Sequence, residues 1–304
     1  MMIWEIGKWV MHLSRNWDRQ YRCTIGQPGE QGVSLGDTTG DSGMPLHISF
    51  SAEKGDKESN NTATVKLWNL GPASIAEIKK HNSVLELRAG YGTNLPLIFA
   101  GNINKASTEQ ENANMVTTMD VVDGLVAIRD TYTTISFTGK TTGIKIIESV
   151  ANSMGISYLV SEDAKVILEQ KVFAQGYSSV GAAKTVLQKI CNTCGLSWSI
   201  QNGVLQIVVT GKTITKRAYV LSAETGLLGI PKEITIESSA KDAQTQGGKK
   251  GYEVRYFLNG AIGVDDLVEL KSEKVKGFFK VCSIAINGDN FDGEWTCTAQ
   301  VTEV

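Results

Sequence analysis

Four patterns in the 304-residue sequence carry residue types that could do chemistry. Gly40-Asp41-Ser42-Gly43 has the form of a loop presenting a nucleophilic serine. Such a serine needs a positioned imidazole as general base. The histidines are His12, His47 and His81, and only His12, in an oily stretch, precedes the serine. The loop therefore reads as a polar, glycine-rich connection between strands. Cys191-Asn192-Thr193-Cys194 could be half a zinc site or a redox pair. Zinc needs four ligands, and no second Cys or His pair stands at finger spacing. A redox cysteine sits at a helix N-terminus, where the dipole lowers its pKa, whereas these two fall in the last turn of a helix-like segment. They read as core.

Gly139-Lys140-Thr141 stands between a strand-like and a helix-like segment, as a phosphate loop does. The full loop also needs a glycine where Thr134 stands, so that backbone amides can wrap a phosphate. Gly211-Lys212-Thr213 fails in the same way at Gln206. Both read as turns, the first leading into a helix N-cap. Lys249-Lys250 lies in a polar loop, 238–251, and reads as solvated. No HExxH, GxSxG or deaminase pattern occurs, so catalytic residues, metal ligands and cofactor-binding residues are all expected to be none. Asp and Glu are plentiful enough for a carboxylate-pair glycosidase, but no segment points to one.

The composition narrows the partners. Lys+Arg is 30 and Asp+Glu is 32, a net charge of −2. Affinity for nucleic acid rests on neutralising phosphates, so specific nucleic-acid binding is disfavoured, as is attraction to an anionic membrane surface. No apolar run reaches bilayer-spanning length. The N-terminal segment is interrupted by Glu5 and Lys8 and is expected not to be a secretory signal. Five cysteines in so long a chain do not make a disulfide scaffold, and a reducing cytoplasm is expected.

The elements that must position these residues fall into three blocks. To about residue 125 the chain alternates in short strands: 21–25, 46–50, 62–70, 84–92, 96–103 and 115–122, with a turn at Gly92-Thr93-Asn94. One short helix, 71–81, interrupts them, with Pro72 near its start. From 135 to 210 a two-fold internal repeat is expected, 137–160 falling on 177–200 at an offset of 40. Each copy is a helix ending at a glycine, Gly155 or Gly195, and leading into a strand. The apolar stripes are Ile144, Ile147, Val150, Ala151 and Met154 in one copy. In the other they are Val180, Ala183, Leu187, Ile190, Cys191 and Cys194. Strands 196–200 and 204–209 flank Asn202-Gly203, the favoured two-residue turn of a hairpin. From 213 onward strands return: 233–238, 252–258, 267–272, 278–286 and 294–301, with a turn at 287–293. The fold class expected is mainly β with an α+β insert: two small β-barrels flanking an α/β module. The boundaries are an N-terminal arm at 1–19, a first barrel at 20–130, the middle domain at 131–212 and a second barrel at 213–304.

Asn69-Leu70 ends an apolar strand, a short helix follows, Ala89-Gly90-Tyr91 ends the next strand and Gly101-Asn102-Ile103 the one after. Near the C-terminus, Gly277-Phe278-Phe279-Lys280-Val281 leads through Gly288-Asp289 to Trp295-Thr296-Cys297. In this order the pieces, spread over about residues 20 to 304, resemble the phage tail baseplate hub family. That group includes the hub of T-even phages, the protein-D family and the hub part of type VI spikes. The resemblance implies a non-enzymatic homotrimer without cofactors, whose two barrels per subunit make a six-fold-like ring. It would adapt the six-fold tail tube to the three-fold central spike. The implied partners are its own copies, a tube or distal tail protein, the spike and other baseplate proteins. The implied location is the virion tail, assembled in the host cytoplasm. A tail-associated cell-wall hydrolase and a monomeric carbohydrate-binding β protein are the alternatives. The arm, with Trp4, Trp9, Met11 and Leu13, has two readings: packing on the chain's own core, or docking on a partner.

Overall fold

The structure is a computed structural model. It describes residues 18–30, 32–36, 46–56, 60–124, 127–128, 130–236 and 248–304. The arm residues Trp4, Trp9, Met11 and Leu13, His12 and the Gly40-Asp41-Ser42-Gly43 loop lie outside the described residues. Strand makes up 55% and helix 17%, so the protein is mostly β, in several sheets.

The first block holds β1 (Arg19–Gly26), β2 (Val33–Leu35), β3 (Ile48–Gly55), β4 (Thr62–Trp68), α1 (Pro72–Ile78), β5 (Val84–Tyr91), β6 (Leu97–Glu111) and β7 (Asn114–Val122). The middle block opens with β8 (Tyr132–Phe137), β9 (Thr141–Thr142), α2 (Gly143–Met154), β10 (Ser157–Val160) and α3 (Glu162–Gln170). It closes with β11 (Val172–Phe173), β12 (Tyr177–Ala182), α4 (Ala183–Cys194), β13 (Leu196–Gln201) and β14 (Val204–Val209). The last block holds β15 (Ala218–Ser222), β16 (Leu227–Ile236), β17 (Lys249–Phe257), β18 (Leu267–Lys271), β19 (Lys276–Asp289) and β20 (Trp295–Glu303).

Period-2 alternation builds the outer blocks. In β3, Ile48, Phe50 and Ala52 are buried while Ser51 and Glu53 are exposed, and β1 and β4 alternate likewise. The strands of both outer blocks join in one 13-stranded sheet running β16-β17-β20-β19-β3-β4-β7-β6-β5-β1-β2, with β18 and β15 branching from β19. A single apolar cluster spans both blocks, from Tyr21, Phe50 and Phe99 to Tyr256, Phe279 and Trp295.

The two outer blocks share a connectivity. In the first, β3 pairs with β4, β4 with β7, β7 with β6, β6 with β5 and β5 with β1. In the last, β16 pairs with β17, β17 with β20, β20 with β19, β19 with β18 and β18 with β15. For these six strands chain order and pairing order coincide, and the final pair differs in sense, antiparallel for β1·β5 and parallel for β15·β18; β2, paired with β1, has no counterpart among the described strands of the last block. Even the irregularity repeats: the register slips by one residue between Ile103 and Lys105 in β6 and between Val281 and Ser283 in β19.

The middle block has its own core, in which α2 and α4 pack through Ile146, Ile147, Val150, Val186, Leu187, Ile190 and Cys191. Both helices are 12 residues long and end on a left-handed glycine, Gly155 (φ 65°) and Gly195 (φ 67°). Beyond that the two halves diverge. β10 is an exposed strand parallel to β14, whereas β13 is buried and antiparallel to it. Val180, placed by its spacing on the second helix, belongs instead to β12 and is 74% exposed. Lys249 and Lys250 open β17 rather than sitting in a loop, and Lys250 pairs with Glu233 at 3.0 Å. The helix α3 is absent from the sequence reading, although its start is signalled: Ser161 accepts from the Ala164 N–H at 3.4 Å, with Glu162 and Asp163 in the first turn.

Candidate functional site: a seam between the blocks and a buried polar joint

The two outer blocks meet where β19 changes partner. Its first half pairs with β18 as far as Lys280; after the slip at Cys282, residues Ser283–Asp289 pair antiparallel with Gly55–Ser49 of β3. Both ends of this seam are pinned. At one end, Lys280 Nζ lies 2.7 Å from Asp265 Oδ1 and 3.1 Å from Asp56 Oδ2, and the Asp56 N–H donates to the Cys282 carbonyl at 2.9 Å. Burial pushes the Asp265 carboxyl up to about 6 against the pull of Lys280. Burial also opposes the Lys280 charge, but Asp265 and Asp56 outweigh it and hold that pKa above the ordinary lysine value.

At the other end, His47 Nε2 contacts both carboxylate oxygens of Asp289, at 3.0 and 3.1 Å, and its ring stacks on Trp68 at 3.8 Å. Asp289 Oδ1 also accepts the backbone N–H groups of Phe291 and Asp292, at 2.9 and 3.1 Å. Asn290 accepts from the Ile48 N–H at 2.9 Å and donates to the Leu46 carbonyl at 3.1 Å. Arg19 donates to the carbonyls of Asp289 and Gly293, at 2.8 and 2.9 Å. The turn after β19 is thus clasped by the first block. An imidazole–carboxylate pair is the kind that orients a general base. Here the carboxylate holds a turn and the ring is packed on an indole. Beside it is an open depression of about 340 Å³ lined by Ser49, Ser51, Thr64, Lys66, Asp289 and Glu294.

The middle block enters the first through one turn. Asn202 (φ 54°) and Gly203 (φ 77°) make the hairpin turn between β13 and β14, as Asn-Gly predicts. Asp123, at the end of β7 and buried, accepts both of their backbone N–H groups, at 2.5 and 2.8 Å. Asn202 Oδ1 accepts from Lys54 Nζ at 3.0 Å and from the Ala100 N–H at 3.2 Å. Asn61 donates to the Ile200 carbonyl at 2.8 Å and to Gln201 Oε1 at 3.0 Å, and Gln201 donates to the Gly55 carbonyl at 2.9 Å. Burial pushes Asp123 up to about 6, against its backbone donors and Lys54; burial likewise lowers Lys54 to about 8. Every polar atom just named is committed to a partner within the protein. One signal for the joint stands in the sequence. Lys54 is in phase with the inward positions Ile48, Phe50 and Ala52, and a lysine on a buried face needs a partner.

The motifs that tempted chemistry are dispersed. Gly139-Lys140-Thr141 does lie between a strand and a helix, but Thr142, at the N-cap, makes no side-chain capping bond. Lys212 pairs with Asp163 at 3.1 Å on the surface. Cys191 is buried in the middle core, and burial raises the Cys194 thiol. Among the described residues no group of three or more His, Cys, Asp or Glu side chains could hold a metal ion, and no helix is long and apolar enough to cross a membrane.

No protein-family model and no curated protein sequence matches the chain. Solved structures do. The 43 kDa tail protein of prophage MuSo2 from Shewanella oneidensis superimposes with a TM-score of 0.58 at 11% identity, over 94% of this chain and 98% of that one. A tail protein from Neisseria meningitidis gives 0.59 at 10% identity, over 93% and 97%. An E. coli component of the type VI secretion system, itself structurally similar to T4 bacteriophage tail proteins, gives 0.56 at 9%, over 86% and 74%. The fold is that of phage tail proteins. Nearly the whole length takes part in these superpositions.

Proposed function

We propose that the protein is a structural hub of a phage or phage-derived tail. In this reading it is a trimer that fits a six-fold tube to a three-fold spike and sits in the virion baseplate. Its own copies, a tube or distal tail protein, the spike and other baseplate proteins are its partners. The blocks act as units: an arm at 1–19, a first barrel at 20–130, a middle domain at 131–212 and a second barrel at 213–304. The observation that carries the reading is the shared connectivity of the two outer blocks, laid side by side in one sheet. Two like units per chain, taken three times, present six like units to a six-fold partner while the chain keeps three-fold symmetry. The tail and type VI neighbours support the same role. The role needs no catalysis and no cofactor, and the polar clusters are spent on joining blocks.

Electron microscopy of the purified protein tests this. The reading expects rings with six similar lobes and three-fold symmetry; isolated single particles of the size of one chain would overturn it. A zymogram on peptidoglycan separates the hydrolase alternative, for which the hub reading expects no clearing. A glycan array does the same for the carbohydrate-binding one.

A further inference from the structure

The partner change in β19 has a counterpart in β6 that is left open. β6 pairs with β5 only as far as Asn102, just as β19 pairs with β18 only as far as Lys280. After its slip, β19 takes β3 as its neighbour. After the equivalent slip, residues Lys105–Glu111 of β6 are paired with β7 on one side and with no strand on the other, among the described residues. The strand equivalent to β3 in the last block is β16. Among the described residues it ends the sheet, paired with β17 alone. The chain therefore carries one filled joint and the two unfilled halves of a second joint of the same kind. Open edges of this length are ready to pair with another chain.

We propose that residues 105–111 of β6 pair antiparallel with β16 of a second copy of this chain, repeating the β19·β3 seam. The proposal deepens the hub reading and rests on it. The register follows from equivalence. The slips align Ser283 with Lys105 and Asn287 with Glu109. The cross-strand partners align Lys232 with Ser51 and Glu233 with Ala52, because Lys232 faces Glu253, which faces Gln300, as Ser51 faces Thr64, which faces Asp120. Since Asn287 pairs with Ser51 and Ala285 with Glu53, Glu109 meets Lys232 and Ser107 meets Ile234. The first of these places opposite charges face to face on exposed positions. On the other face, where the seam has Ile286 against Ala52, the new joint has Thr108 against Glu233. It is held by backbone hydrogen bonds and by Glu109–Lys232 rather than by apolar packing. The joint is heterologous, so it closes a ring only if each copy offers both edges, as this chain does.

Paired cysteines in the full chain test it. The double variant Ser107→Cys/Ile234→Cys is oxidised gently and run on a non-reducing gel beside each single variant. The proposal expects covalent dimers and trimers from the double variant only, since residues directly opposite across strands lie within disulfide reach. In a second arm, Glu109→Lys and Lys232→Glu each weaken association by about ten-fold or more, and together they restore it. An oligomer that forms no cross-link and ignores both charge changes would overturn the register while leaving the hub reading in place. A protein that is monomeric before any substitution would overturn both.

Discussion

Gly288 lies directly opposite Phe50 across the β19·β3 seam, and the phenyl ring covers the place where a side chain at 288 would stand. The ring is buried and packs edge-on against Trp295 at 5.4 Å. Gly288→Val should therefore overpack the seam and cost about 1–3 kcal/mol. Chemical denaturation reads this directly. Phe50→Ala combined with Gly288→Val should recover part of the loss, and strict additivity of the two changes would refute the contact.

Asp123 is the acceptor on which the middle block hangs. Asp123→Ala leaves two part-buried N–H groups without their acceptor and removes the negative charge near Lys54, at a cost of about 2–4 kcal/mol. Hydrogen exchange should rise first at Asn202 and Gly203, before the amides of α2 and α4. Uniform loosening of all three blocks would mean that the turn is not the joint.

The same carboxyl gives a pH signature. Its folded pKa, about 6, lies above its ordinary value of 3.8. A raised acid pKa means that the folded state binds the proton more tightly, so this group's contribution is fully present below about pH 4 and is lost as pH rises through 6. The size is on the order of 3 kcal/mol. Asp265 acts in the same direction over the same range. Lys54, lowered from 10.5 to about 8, contributes stability above 10.5 that is lost as pH falls through 8. Denaturation midpoints of wild type and Asp123→Asn, followed from pH 4 to 7, should diverge in slope; parallel curves would rule out a raised Asp123.

None of the five thiols is poised to react. Cys23, Cys191 and Cys297 are buried, and burial pushes Cys23 up to about 12 and Cys297 up to about 11. Burial raises Cys194 and Cys282 as well. Ellman's reagent at pH 8 should label the native protein more slowly than free cysteine. A rapid, stoichiometric thiol at Cys191 or Cys194 would revive the redox reading of that pair.

The strands were largely legible because burial on one face imposes a period of two: β1 and β4 fall on the alternating segments 21–25 and 62–70, while β3 overlaps 46–50 but runs on to Gly55. The Asn202-Gly203 hairpin was legible from turn chemistry alone. The α3 helix was missed because only Ala164 and Leu168 of it are buried, too few to set a periodic stripe. The seam could not be read from sequence at all. Ser283–Asp289 and Ser49–Gly55 are ordinary strand residues some two hundred positions apart, and backbone pairing at that distance leaves no mark in side-chain types. Lys280, Asp265 and Asp56 are likewise scattered, and their common burial exists only once the seam has formed.

The mass of the particle in solution bears most directly on the account. Light scattering at micromolar concentration should give a value near three times the 32.9 kDa of one chain. A clean, concentration-independent 32.9 kDa species would contradict the hub.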